Sequence, residues 1–203
     1  MQWFLVLGGY IFGAFPTAYI FSQKLKGKDI RQMGDRNMGA RNAYHELGPK
    51  IGILIFCIDT AKGSLAILIA RYFEAPQYIL LATGVAAVAG HNWPVFLGFR
   101  GGRGEATTIG ILLALIPESI LIVAVPTIAV LLIKKNVILT SAVLFVSLLF
   151  VNWWLQVQGI LVFYGIALPI MVALTHYFRV RKVKSPVGTG GAKAFLSSII
   201  FSF

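Results

Sequence analysis

The chain has 203 residues, of which 58% are hydrophobic and 12% are charged, and its formal net charge is +11. Soluble domains are typically about 45–50% apolar and about 25% charged, so this composition excludes an ordinary soluble protein and predicts an integral membrane protein. In a soluble chain the positive charge would suggest nucleic acid binding, but here we expect the basic residues in loops that face anionic headgroups or a phosphate-bearing substrate.

The apolar segments predict the transmembrane helices, since a helix needs about 20 apolar residues to cross the ~30 Å hydrocarbon core. The first segment has no basic stretch before it, so we interpret it as a span and not as a removed signal peptide. We therefore predict one all-α, polytopic membrane domain over residues 1–203, with about seven transmembrane helices. The predicted segments are 2–22, 51–71, 78–97, 106–116, 119–133, 137–154 and 158–177, followed by a basic and then apolar tail over 178–203.

The region 106–133 fits either one long helix or two short helices that turn near Pro117 and Glu118. Two arginines precede this region and two lysines follow it. A single crossing would place these pairs on opposite sides of the membrane, whereas basic residues favour the cytoplasmic side. The charge pattern therefore favours two short helices.

With that topology, the N-terminus is outside and the C-terminus is inside. All but two of the 18 lysines and arginines then lie on the inner side. The exceptions are Arg71, which lies outside, and Lys62, which lies within a span three residues after Asp59 and is placed to form a local ion pair with it. We predict a multi-pass protein of the plasma membrane whose polar loops face the cytoplasm.

The sequence FRGGRG, residues 99–104, directly precedes the apolar segment that starts at residue 106. Adjacent glycines allow backbone N–H groups to converge on an oxyanion, the following helix adds its positive end, and Arg103 adds a planar donor fork. This pattern indicates a phosphate cradle, with a plain glycine-rich turn as the alternative. It is not a P-loop, because the Lys-Ser/Thr ending is missing.

The first inner loop, residues 29–52, is long and polar, and its glycines and asparagines fit a defined, hydrogen-bonded path better than a tether. A solvated basic loop at the headgroups is the alternative. Both inner loops face the same membrane surface, where they are expected to form one polar site. His91, near the inner end of the third span, is a functional candidate, with a structural hydrogen bond as the alternative.

Three sequence motifs now carry a resemblance to a known family. They are GDRNMGARN at 34–42, GHNWPVFLGFRGGRGEAT at 90–107, and the D-x-x-K-G pattern that begins at Asp59. At these residues the chain resembles the bacterial acyl-phosphate:glycerol-3-phosphate acyltransferases of the PlsY type. The resemblance extends from residue 1 to about residue 178.

The resemblance implies transfer of a fatty acyl group from acyl-phosphate to the sn-1 hydroxyl of glycerol 3-phosphate, which gives lysophosphatidic acid and phosphate in phospholipid synthesis. It implies contact with membrane lipid, but no metal, cofactor, nucleic acid or obligate protein partner. It makes His91 and Arg103 candidate catalytic residues. The candidate substrate-binding residues are Asn37, Gly39, Asn42, His45, Gly101, Gly102, Gly104 and Ser141.

The first loop departs from the family pattern. Asp35 replaces a serine, Arg36 a glycine and Arg41 a threonine. These three residues are candidates for perturbing or compensating phosphate binding. His45 stands where the family has a basic residue. The family's tail carries a His-Arg-x-Asn stretch, whereas this chain has His176 and Arg179 without the asparagine. Two alternatives therefore stand beside the family reaction: the same fold with a different acceptor, and a non-catalytic membrane protein that binds lipid or phosphate.

Overall fold

The computed structural model describes residues 2–183, except for the side chains of residue 176 and of residues 178–183. Within this range the regular structure is helical, with no strand. The α-helices are α1 (Trp3–Ala14), α2 (Thr17–Lys26), α3 (Ala40–Leu47), α4 (Pro49–Tyr72), α5 (Gln77–Asn92), α6 (Glu105–Leu115), α7 (Pro117–Lys134), α8 (Val137–Trp154) and α9 (Gly159–Val183).

Five helical stretches of the described chain are long and apolar enough to cross a membrane. The first combines α1 and α2, the third extends α5 to Leu97, and the others are α4, α7 and α8. Two shorter apolar helices, Glu105–Leu115 and Gly159–Thr175, accompany them. This architecture confirms the predicted all-α integral membrane fold. A helix break lies at Ile116, between α6 and α7, in the region where the sequence predicts a turn.

Contacts between the helices group the chain into two compact units, one up to Pro117 and the other from Glu118 onward. The first unit contains α1 to α6 and both glycine-rich loops. In the second unit α8 packs against α9, and the Asn136 side chain caps the start of α8 by accepting a hydrogen bond from the Leu139 amide at 3.0 Å.

The first membrane stretch is interrupted at Phe15 and Pro16, between α1 and α2. Proline has no N–H to donate and disfavours a helical conformation in the residue before it, so the helix stops there. The carbonyl oxygen of Phe15 instead accepts a hydrogen bond from the buried Lys62 Nζ at 3.2 Å. The same oxygen also accepts the Thr17 amide at 3.0 Å, so a lysine on α4 adds a second donor to a carbonyl group at the break.

Small residues allow the helices of the first unit to approach closely. On α1, a Cβ at Gly13 would overlap the backbone of Ala87 on α5. On α6, a Cβ at Gly110 would overlap the backbone of Thr60 on α4. Glycines at such positions let helix backbones pack together in a membrane, where apolar side chains alone give no specificity.

A small apolar core fixes the first loop on helices α2, α3 and α4. Ile30 and Met38 of the loop are buried, and they cluster with Ala18 of α2, Ala43 of α3 and Ile55 of α4. The burial of these two apolar side chains anchors both ends of the loop segment between Ile30 and Met38.

Candidate functional site

Asn42 organises the first polar loop, although the sequence predicts it as a substrate-binding residue. Its side chain is buried, and its Nδ2 lies 3.0–3.1 Å from the carbonyl oxygens of Ile30, Met33 and Asn37. Its Oδ1 accepts a hydrogen bond from the Asp35 amide at 3.1 Å. Asn42 therefore fixes the path of the loop through hydrogen bonds with backbone groups. A direct contact between Asn42 and substrate stays a prediction.

The loop turns sharply around Asp35. Gly34 and Arg36, on either side, have φ values of +52° and +58°, in the left-handed region that side chains disfavour. A Cβ at Gly34 would also overlap the Asn42 side chain. The Asp35 Oδ1 accepts a hydrogen bond from the Asn37 amide at 3.0 Å, so the turn fixes the direction of the Asp35 carboxylate.

Asn37 and Gly39 lie at the start of α3. Asn37 is buried, and its Oδ1 has no hydrogen-bond partner among the described residues. Gly39 caps α3 in an extended conformation, and a Cβ there would lie 2.7 Å from the Asn37 Nδ2. Gly39 thus leaves space for the Asn37 amide, whose oxygen is an acceptor available to a ligand hydroxyl.

The other polar residues of α3 are more accessible. His45 is exposed, and its imidazole packs edge-on against Tyr44 with the ring centroids 5.6 Å apart. Arg41 is half-buried and Arg36 is exposed. The structure therefore brings three of the predicted basic residues to the same loop, around the turn that holds Asp35.

The glycines of the second loop pack against the end of α5. The amides of Gly101 and Gly102 donate hydrogen bonds to the carbonyl oxygens of Asn92 and His91, at 3.1 and 2.9 Å. A Cβ at Gly102 would overlap the His91 imidazole. These two N–H groups are therefore directed at α5, which differs from the predicted convergence of both amides on an oxyanion.

The start of α6 completes the turn. Gly104 caps this helix with φ +85°, and a Cβ there would lie 2.7 Å from the Asn92 Oδ1. The first backbone N–H groups of a helix have no partner within it, and the helix dipole adds positive potential at that end. The groups of this turn that are able to bind an anion are therefore Arg103 and the start of α6.

Arg103 joins the two loops. Its Nη2 lies 3.3 Å from the Asp35 Oδ2, and only 19% of its side chain is exposed. Its buried Nε has no hydrogen-bond partner among the described residues. Burial lowers the pKa of Arg103, the Asp35 charge opposes that shift, and the nearby Arg41 charge adds to it. A buried cation with an unused donor is well suited to an incoming anion.

His91 is buried at the end of α5, directly beneath Gly102. Its position is fixed on both sides, because its carbonyl oxygen accepts the Gly102 amide and its imidazole fills the space that a Cβ on that glycine would need. The structure thus brings His91 and the Arg103 turn together.

A second link between the loops was missed by the sequence reasoning, which treated Arg31 only as an inner basic residue. The Asp29 carboxylate accepts two hydrogen bonds from Arg31, at 3.0 Å from Nε and 2.7 Å from Nη2. The Arg31 Nη1 then donates to the Leu97 carbonyl oxygen at 2.9 Å. Hydrogen bonding to Arg31 lowers the pKa of Asp29. The D-x-R spacing was the available signal.

The remaining predicted residues belong to the second unit or to the tail. Ser141 belongs to the second unit, where its hydroxyl donates to the Val137 carbonyl oxygen at 2.8 Å within α8. The side chains of His176 and Arg179 lie outside the described residues, as do Lys184 and the rest of the tail.

The predicted ion pair within the membrane is present, with 3.0 Å between the Lys62 Nζ and the Asp59 Oδ1. Both side chains are buried, and Thr17 donates to the same carboxylate oxygen at 3.1 Å. Together with the Lys62 bond to Phe15, these contacts connect α4 to both sides of the break in the first span. The pair has a structural role in the described chain.

Comparison with known proteins places the chain among integral membrane acyltransferases. The family model described as glycerol-3-phosphate acyltransferase matches residues 3–185. The chain belongs to the glycerol-3-phosphate acyltransferase family, as the sequence motifs indicate.

Similar proteins cover nearly the whole chain. Glycerol-3-phosphate acyltransferase 4 of Dehalococcoides mccartyi is 46% identical over 187 residues, which are 90% of this chain and 98% of that protein. Glycerol-3-phosphate acyltransferase of Geotalea daltonii is 33% identical over 181 residues, covering 89% and 93% of the two chains.

Two crystal structures of PlsY, an integral membrane glycerol 3-phosphate acyltransferase, have the same fold. The glycerol 3-phosphate form is 32% identical, with a TM-score of 0.78 over 92% of this chain and 95% of that chain. The lysophosphatidic acid form is also 32% identical, with a TM-score of 0.76 over 89% and 90% of the two chains.

Proposed function

We propose that this acyltransferase moves a fatty acyl group from acyl-phosphate to the sn-1 hydroxyl of glycerol 3-phosphate. The hydroxyl oxygen forms a bond to the acyl carbonyl carbon, and the bond between that carbon and the phosphate oxygen breaks. The hydroxyl proton is released with inorganic phosphate, so the products are 1-acylglycerol 3-phosphate and phosphate. Because phosphate is a good leaving group, alignment and charge stabilisation supply most of the catalysis.

The observation that carries this proposal is the half-buried guanidinium of Arg103 at the junction of the two glycine-rich loops, with its Nε unused among the described residues. A guanidinium fork matches the oxygens of a phosphate group, and partial burial strengthens that interaction. The α6 start lies two residues further along the chain and adds positive potential for the same group.

The other residues of the first unit have roles that their positions support. His91 beneath Gly102 orients a reacting group or accepts its proton. The Asn37 Oδ1 is a buried acceptor for an acceptor-substrate hydroxyl. Arg41 and Arg36 supply positive potential around the loop, and His45, on the same helix as Arg41, is a candidate hydrogen-bonding partner for the substrate. The other predicted substrate-binding residues act indirectly, because they set the shape of the two loops that hold the substrate: Gly101, Gly102, Gly104, Gly39 and Asn42.

The site is proposed to face the cytoplasm of a plasma-membrane protein, because the basic residues concentrate on the loops that carry it. The acyl chain is expected to lie along the membrane-spanning helices, which leave large apolar side chains exposed. Ser141 and the residues of the tail remain candidate substrate contacts from sequence only.

The test is an acyl-transfer assay on the purified full chain, with palmitoyl-phosphate and radiolabelled glycerol 3-phosphate. Labelled lysophosphatidic acid with equal phosphate release is the expected result. Arg103→Ala should reduce the rate by at least about 10²-fold, whereas Lys24→Ala, which removes an exposed cation at the end of α2, should not. Phosphate release without labelled lipid would contradict glycerol 3-phosphate as the acceptor.

A further inference from the structure

The carboxylate of Asp35 occupies the side of Arg103 that faces the first loop. The contact is a single one, 3.3 Å from Oδ2 to Nη2, although a guanidinium can hold a carboxylate through two parallel bonds. Because the side chain of Asp35 is 36% exposed, solvent weakens the attraction between the two charges. The ion pair is therefore loose enough for a stronger anion to displace it.

The Arg103 fork has further capacity that Asp35 does not use. The Nε atom is buried and has no acceptor among the described residues, while Nη2 on the same edge faces the carboxylate. A phosphate group, with three oxygens and about two negative charges, is able to engage both nitrogens at once. Asp35 thus imitates part of a phosphate at this position.

Asp35 is also held in place by the loop. Its Oδ1 accepts the Asn37 amide at 3.0 Å, and its backbone amide donates to the buried Asn42. These two bonds keep the carboxylate close to Arg103 even when a phosphate takes its place at Nη2, so its negative charge stays near the bound phosphate. Like charges at this separation oppose binding.

We propose that Asp35 is a specificity-determining residue, whose carboxylate competes with substrate phosphate for Arg103 and so sets a weak affinity for phosphate-bearing substrates. This inference rests on the proposed function, in which Arg103 binds a substrate phosphate. It predicts a higher KM for the phosphate-bearing substrate in this chain than in a variant with a neutral residue at position 35.

The experiment compares the full-length wild type with Asp35→Asn and Asp35→Ser. The expected result is a decrease of about two- to fivefold in the KM of the substrate whose phosphate binds Arg103, and in the inhibition constant of inorganic phosphate, at unchanged kcat. Measuring the KM of glycerol 3-phosphate and of palmitoyl-phosphate separately shows which of them Arg103 holds.

Glu46→Gln is the matched control. Like the Asp35 variants it removes one negative charge, in this case from α3, and Glu46 makes no ion pair with Arg103 among the described contacts. An equal gain in Glu46→Gln would show a general charge effect and overturn the proposal. Unchanged KM values in both Asp35 variants would also overturn it. A loss of kcat would overturn it in favour of a catalytic carboxylate.

Calorimetric titration with inorganic phosphate separates this inference from the proposed reaction, because it needs no turnover. Tighter phosphate binding by Asp35→Asn supports the competition even if the wild type transfers no acyl group to glycerol 3-phosphate. In the double variant Asp35→Asn with Arg103→Ala the gain should disappear. Absence of phosphate binding in every variant would overturn the assignment of Arg103 as an anion site, and the inference with it.

Discussion

Arg31 donates a hydrogen bond to the carbonyl oxygen of Leu97 at 2.9 Å, and so ties the first glycine-rich loop to the segment that leads into the second. Asp29 holds the guanidinium on its other side, and Tyr19 lies below it, with the Arg31 Cζ 5.5 Å from the ring centroid. A side chain outside the predicted site therefore contributes to the alignment of the two loops, beside the contact between Asp35 and Arg103.

Replacing Arg31 should impair catalysis more than stability. In Arg31→Ala the Leu97 carbonyl loses its donor and only the Asp35–Arg103 contact still joins the loops, so we expect kcat/KM to fall by about 10-fold or more. Arg31→Lys should recover little, because an ammonium lacks the planar fork. The acyl-transfer assay measures the effect, with Lys28→Ala as the control for charge. Full activity in Arg31→Ala would contradict the positioning role.

The same contact predicts a pH dependence at the acidic end. The pKa of Asp29 is lowered in the folded protein, chiefly by the Arg31 hydrogen bond. Its contribution to stability is therefore fully present above the unfolded value of about 3.9 and is lost as the pH falls through the lower folded value. The difference in thermal stability between wild type and Asp29→Asn should be constant from pH 7 to about pH 5 and should shrink below about pH 4. A difference that shrinks between pH 7 and pH 5 would contradict this linkage.

Position 102 requires a glycine because the backbone there lies against the His91 imidazole, and not because of an unusual φ angle. A Cβ at this position would overlap the imidazole, so Gly102→Ala should displace the histidine or the Arg103 turn and reduce the rate by about 10²-fold. Gly8→Ala is the control, because no atom lies within 4 Å of a Cβ there. Retained activity in Gly102→Ala would show that neither His91 nor the turn needs its present position.

Much of this architecture was accessible from the sequence, and the limits have physical causes. Long apolar runs and the basic loops predict helical spans, because lipid leaves few alternatives for a backbone. The motif around Arg103 predicts a cation next to a glycine turn. The sequence does not show that the Gly101 and Gly102 amides bond to α5, since that depends on how the loop folds back over His91.

Long-range contacts between the loops were equally inaccessible. The Asp35–Arg103 pair joins residues far apart in the chain, and no local sequence pattern around either residue predicts this pairing. The break at Pro16 was missed, although a proline inside an apolar run is a readable signal that a helix ends or bends there. Lys62 was recognisable only as a partner of Asp59, whereas its second contact, with Phe15, depends on that break.

The buried pair of Asp59 and Lys62 gives the sharpest test of stability. In Lys62→Met the Asp59 carboxylate stays buried without its cation, and the Phe15 carbonyl keeps only the Thr17 amide as a donor. We expect this variant to be less stable than the wild type by about 3–5 kcal/mol, as found when one partner of a buried pair is removed.

The double variant Asp59→Leu with Lys62→Met removes both charges, so it should recover much of that loss. Thermal unfolding in detergent, followed by circular dichroism, measures the three proteins. If the pair only stabilises the fold, the double variant also keeps its acyl-transfer activity, because neither side chain contacts the Arg103 turn among the described contacts. A double variant that is stable but inactive would instead place Asp59 or Lys62 in the catalytic machinery.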